Sequence, residues 1–177
     1  MPSGIAPVAS ASSVDFKRSL VEAFATNERA NQLLLANIEK DAWQALPPSG
    51  KGRTIADIAV HIHHVRLMWL SAADKGAKHP PKLDPDKATR QQVQAALKNS
   101  AVAIQELIRK AAETPTGRVP NFKPDVVGFV GYMIAHDAHH RGQISMLARQ
   151  VGHPLPPKIN FGLWEWGTLW RESGFGK

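Results

Sequence analysis

Four stretches of this chain repeat apolar residues every three or four positions, and none alternates apolar with polar residues as a half-buried strand does. In the first, Phe16, Leu20, Phe24, Leu34 and Ile38 fall on one face of a helix expected from about Val14 to Glu39, with Asn27 and Asn31 interrupting the same stripe. Pro47, Pro48, Gly50 and Gly52 break the chain, and Thr54-Ile55-Ala56-Asp57 has the form of a capping box opening a second helix to about Lys75. A third helix follows Thr89-Arg90-Gln91-Gln92, with Val93, Leu97, Ser100, Ile104, Leu107 and Ala111 along its stripe. The fourth opens with Pro124 and Asp125 and ends at Val151, before Gly152 and Pro154. Helices of this length hide their stripes by packing on one another, which predicts an all-α four-helix bundle spanning residues 14–177 as one domain. Gly76 to Pro85 is the place for a crossover. Residues 1–13 read as a disordered tail, and the Trp-rich segment from Leu155 to Lys177 as a short helix over one end.

Composition narrows the chemistry. The 177 residues include no cysteine, so disulfides, zinc-thiolate sites and a cysteine nucleophile are excluded, and soft-metal chemistry falls to histidine. The formal charge is +7, but Lys and Arg are scattered without a run of five, and the aromatics do not interleave with them, which argues against a nucleic-acid partner. No apolar stretch approaches the ~18–20 residues of a membrane span, and Met1–Ser13 lacks the pattern of a signal peptide, so a cytoplasmic protein is expected.

Six of the eight histidines lie in two helical strings, His61-Ile62-His63-His64 and His136-Asp137-Ala138-His139-His140. Residues four apart differ by ~40° around a helix, so His136 and His140 share a face one turn apart. On a helical wheel that face is also the apolar one, carrying Phe129, Met133, Ile144, Leu147 and Val151, with His139 at its edge or in solvent. In the second helix, Ile58, Val65, Trp69 and Ala72 define a face that His61 borders, with His64 less favourably placed and His63 pointing away. Three inward imidazoles each carry a polar nitrogen that must be satisfied, and one shared cation satisfies them together. A three-histidine shell suits zinc, nickel, iron or copper. Core histidines with ordinary hydrogen-bonding partners, in a non-catalytic ligand-binding bundle, are the alternative. His136-Asp137-x-x-His140 also has the spacing of a zincin helix with Asp for Glu, though no strand edge is available to hold a peptide. Asp57 either orients His61 or caps its helix, the latter being simpler.

These residues carry a resemblance. Asn31, the string Thr54-Ile55-Ala56-Asp57-Ile58-Ala59-Val60-His61-Ile62 and the string His136-Asp137-Ala138-His139-His140-Arg141-Gly142-Gln143-Ile144 resemble the DinB family, a group related to YfiT-like metal-dependent hydrolases and thiol-dependent S-transferases. The resemblance implies a four-helix bundle with a non-sequential crossover, often a homodimer. It implies a divalent ion, zinc or nickel first and iron as a further option, held by His61, His136 and His140. It further implies hydrolase or transferase chemistry on a small-molecule substrate, with a low-molecular-weight thiol as a candidate cosubstrate. Asp137 and Gln143 are then the polar neighbours placed to orient a nucleophile. Phe161, Trp164, Trp166 and Trp170 either wall a pocket above the metal or simply pack, and Met68, Met133 and Met146 read as core gap-fillers.

Overall fold

A computed structural model describes residues 14–76 and 79–176, and the expected tail at residues 1–13 lies outside them. The fold is all-α. Seven helices are present among the described residues: α1 (Phe16–Ala36), α2 (Lys40–Trp43), α3 (Ile55–Ala73), α4 (Arg90–Glu113), α5 (Val126–Gln150), α6 (Pro157–Gly162) and α7 (Trp166–Glu172). The four long ones are those expected from periodicity, while α2 and the division of the C-terminal segment into α6 and α7 are additional.

Local chemistry sets the ends. Thr54 Oγ1 accepts from the Asp57 amide at 3.1 Å and Asp57 Oδ2 accepts from the Thr54 amide at 2.8 Å, so Asp57 caps α3. Thr89 and Gln92 repeat the device on α4 at 3.2 and 2.8 Å. At the end of α5, Gly152 takes φ +89°, which lets His153 N–H reach the Ala148 carbonyl at 2.8 Å and Gly152 N–H the Arg149 carbonyl at 3.2 Å, a Schellman ending.

α1 and α3 each pack against both α4 and α5. The buried apolar residues form two clusters. One holds Leu34, Ile58, Val93 and Ile144, and the other holds Phe24, Leu70, Ile104 and Met133. Passing from the second cluster to the first, α1 and α5 run forward in sequence while α3 and α4 run backward, so α3 and α4 are parallel. Their connection must therefore travel the length of the bundle, as a crossover. It is pinned along its course: Trp43 Nε1 donates to the Ala88 carbonyl at 2.9 Å, and Leu83 packs on the first cluster.

Between the two apolar clusters lies a polar layer of Asn27, Glu28, Asn31, Gln32, His63, Arg66, Ser100 and Asp137, all buried. Arg66 and Asp137 are wholly inaccessible. Two expectations fail in the surrounding shell. Met68 and Met146 are exposed, not core gap-fillers, and Phe16 at the head of the first stripe is exposed because α1 begins there, beyond the reach of its neighbours. No helix among the described residues is long and apolar enough to cross a membrane.

Candidate metal centre

His61 comes from the first half of α3, and His136 and His140 come from successive turns of α5, the helix beside it. The ring centroids of His136 and His140 lie 4.5 Å apart, those of His61 and His140 4.8 Å, and those of His61 and His136 5.3 Å. One nitrogen from each of the three rings lies within 4.8 Å of the others. These are the three side chains that the helical wheel places on or beside the apolar faces of the two helices.

The surroundings favour the neutral form of His61 and His140 and fix the aim of one of them. Burial, reinforced by the charge of His140, pushes His61 down to about 4. His140 is also lowered by burial, against the opposing hydrogen bond to Gln143. That bond joins His140 Nδ1 to Gln143 Oε1 at 2.7 Å. An amide oxygen only accepts, so Nδ1 carries the proton and Nε2 keeps a free lone pair. The amide nitrogen of Gln143 donates to His139 Nε2 at 3.0 Å, completing the chain at an exposed ring. His136 Nδ1 is buried without a hydrogen-bond partner and stands 3.6 Å from Asp137 Oδ1, which is likewise unpartnered. A donor set of three imidazoles, one with its outer nitrogen already tied off, fits a borderline-soft divalent ion.

Asp137 is enclosed. Its Oδ2 accepts from Arg66 Nη2 at 2.7 Å, Asn27 Nδ2 at 2.7 Å and Asn31 Nδ2 at 2.9 Å. Burial by itself would raise this carboxyl, but the Arg66 charge and the hydrogen bonds hold it well below the ordinary carboxylate range. Arg66 also donates to Glu28 Oε2 at 2.7 Å and to the Leu97 carbonyl at 3.0 Å. Burial works against its charge, and Asp137 and Glu28 more than offset that, leaving it above its usual value. Arg141 Nη1 donates to Asn27 Oδ1 and Asn31 Oδ1, both at 2.7 Å, which orients the two amides with their nitrogens toward Asp137. The two arginines and two carboxylates of this layer balance in charge.

The remaining histidines do other work. His63, expected to point away, is fully buried: its Nε2 donates to the Pro81 carbonyl at 2.9 Å and its Nδ1 accepts from Ser100 Oγ at 3.1 Å. His64 Nε2 accepts from the Leu83 amide at 3.2 Å. Both therefore anchor the crossover. The expected apolar face of α3 is displaced for the same reason. Ile58 is buried as expected, but Val65, Trp69 and Ala72 are only half-buried, and the deepest positions include Ile55, Ala56, Ala59, His63 and Arg66.

The C-terminal aromatics do not wall the histidines. Trp166 and Trp170 lie along α1 beside Ser19, Glu22 and Thr26, with Trp170 Nε1 donating to Glu22 Oε2 at 2.8 Å, while Phe161 and Trp164 are exposed. An aromatic group that does reach the site comes from α5, the loop before it and α3. Tyr132 stacks 6.1 Å from His136, and Phe122 and Trp69 continue the wall from Tyr132. Arg66 was not singled out by sequence; the available signal was a basic residue inside an apolar helix, opposite the asparagines that break the α1 stripe.

No curated protein and no solved structure matches the chain. The family model of the DinB family does match, over residues 12–172, and so the chain belongs to the DinB family.

Proposed function

We propose that this protein is a metal-dependent enzyme acting on a small molecule, of the hydrolase or thiol-dependent S-transferase type, with His61, His136 and His140 as the ligands. The observation that carries the reading is the convergence of three imidazole nitrogens within 4.8 Å, from two helices, on one spot. A divalent ion held there, zinc or nickel first and iron otherwise, would supply Lewis acidity and lower the pKa of a water molecule or small thiol that reaches it.

The chain's own groups divide the remaining work. Gln143 fixes the tautomer of His140 and is a positioning residue rather than the group that handles the nucleophile. Asp137, closed off from solvent and already accepting three hydrogen bonds on one oxygen, supports the site from behind His136. The Tyr132, Phe122 and Trp69 rings give the approach to the histidines an apolar side suited to the carbon skeleton of a small substrate.

Metal analysis of untagged protein, paired with thermal melting in the presence and absence of a chelator, tests this reading. About one ion per chain is expected, with a melting temperature that falls on chelation, because a ligand held only by the folded state stabilises it. His140→Ala should hold no ion and melt independently of chelator. Wild-type protein without stoichiometric metal and without a chelator effect overturns the proposal. A panel of small amides, esters and electrophiles, with and without a low-molecular-weight thiol, then separates hydrolysis from transfer.

A further inference from the structure

We infer that Asp137, locked by Arg66, Asn27 and Asn31, is a positioning residue that sets the tautomer of His136 and so decides which of its ring nitrogens faces the metal. The inference rests on the metal-site reading and deepens it. Asp137 Oδ2 is saturated by three donors, and each donor is itself fixed. Arg66 is tied to Glu28 and the Leu97 carbonyl, and both asparagine oxygens face Arg141, so their nitrogens cannot turn away. The carboxylate therefore has one oxygen to spare. That oxygen, Oδ1, is buried without a partner, and 3.6 Å away is the buried, unpartnered Nδ1 of His136.

An ionised carboxylate accepts and never donates, so the group facing it must bring the proton. His136 then carries its hydrogen on Nδ1 and presents Nε2, with its lone pair, to His61 and His140. Histidines on metals commonly donate their outer nitrogen to a carboxylate in this way, which fixes the ring and raises its basicity. Here the carboxylate is the next residue in the chain, and a two-arginine, two-carboxylate layer between the two halves of the core holds it still.

The same geometry makes the isosteric variant informative. In Asp137→Asn, three donors still demand an acceptor at the Oδ2 position, so the amide oxygen must go there and the amide NH₂ must face His136. Nδ1 then has to accept, the ring proton moves to Nε2, and the ligand lone pair is lost.

The test is made on full-length 15N-labelled protein with zinc alone as the probe, reading the His136 ring by long-range proton–nitrogen correlation and zinc affinity by competition with a chromophoric chelator. In zinc-loaded wild type, His136 is expected as the Nδ1–H tautomer. Asp137→Asn should invert the tautomer in the metal-free protein and weaken zinc by about 10–100-fold. Wild-type protein that holds zinc with His136 protonated on Nε2 overturns the inference and leaves the metal reading standing, and this outcome needs no variant to fold. Asp137→Asn with wild-type tautomer and affinity overturns it equally. Wild type that binds no zinc overturns the inference, and the metal content of the untagged protein decides whether the metal reading falls with it.

Discussion

Arg66 and Asp137 meet through Nη2 and Oδ2 at 2.7 Å, and neither side chain has any surface open to water. A pair so placed is costly to bury and far more costly to break, because the survivor is left as an uncompensated charge. Arg66→Met would strand two carboxylates, those of Asp137 and Glu28. We expect a loss of about 3–5 kcal/mol in urea unfolding. Arg66→Lys should recover little of it, since an ammonium cannot span Asp137, Glu28 and the Leu97 carbonyl as a planar fork does.

Gln143 should matter to metal and little to folding. Its one contact of consequence is the 2.7 Å bond from His140 Nδ1, which leaves Nε2 as the ligand nitrogen. Gln143→Leu is expected to weaken zinc by about 10-fold or more in a chelator competition, while Gln143→Glu, which still accepts, stays close to wild type. His139→Ala serves as the control: the ring is exposed at the far end of the same chain, and its loss should leave affinity unchanged.

The aromatic C-terminus makes a contrast in stability. Trp164 is 85% exposed, so Trp164→Ser should stay within about 0.5 kcal/mol of wild type. Trp170 is half-buried on α1 and donates to Glu22, and Trp170→Ala should cost about 1–3 kcal/mol. Chemical denaturation of the two variants side by side checks the difference.

How far this molecule could be read from its sequence depended on how many neighbours each helix has. α4 was nearly transparent: Val93, Leu97, Ser100, Ile104 and Ala111 are buried as their spacing predicts, while Leu107 is only half-buried and Ile108 takes its place in the core. In α5 the apolar arc carried His136 and His140 with it. α3 resisted, because it packs on α4, α5 and the crossover at once and is apolar on most sides, so a one-faced wheel chose the α5 boundary and sent His63 outward. The polar layer was present in the sequence only as irregularities, namely Asn27 and Asn31 in one stripe and Arg66 in another. Each looks like an isolated blemish until the folded chain brings them to one level. The Trp-rich end had no period to read, and its placement along α1 follows from contacts such as Trp170 with Glu22 rather than from any local pattern.

The crossover supplies a pH-dependent contribution to stability that is separate from the metal. His64 Nε2 accepts the Leu83 amide, so it must be neutral there. Burial first, and the nearby charge of Lys82 in addition, lower its pKa below the ordinary histidine value. His63 is lowered as well, by burial and then by the charges of His64 and Arg66, against its bond to Pro81 and the opposite charge of Glu28. For a group depressed in the folded state, the unfolded chain binds the proton more readily, so its contribution to stability is complete above the unfolded pKa of about 6.5 and is lost as pH falls through the folded value. Metal-free protein should therefore lose stability on acidification below pH ~6.5. His64→Gln should flatten that slope, and amide exchange at Leu83 should quicken with acid in wild type ahead of global unfolding. A stability profile for His64→Gln that parallels wild type between pH ~7 and ~5 would show that the proton taken up comes from elsewhere in the bundle.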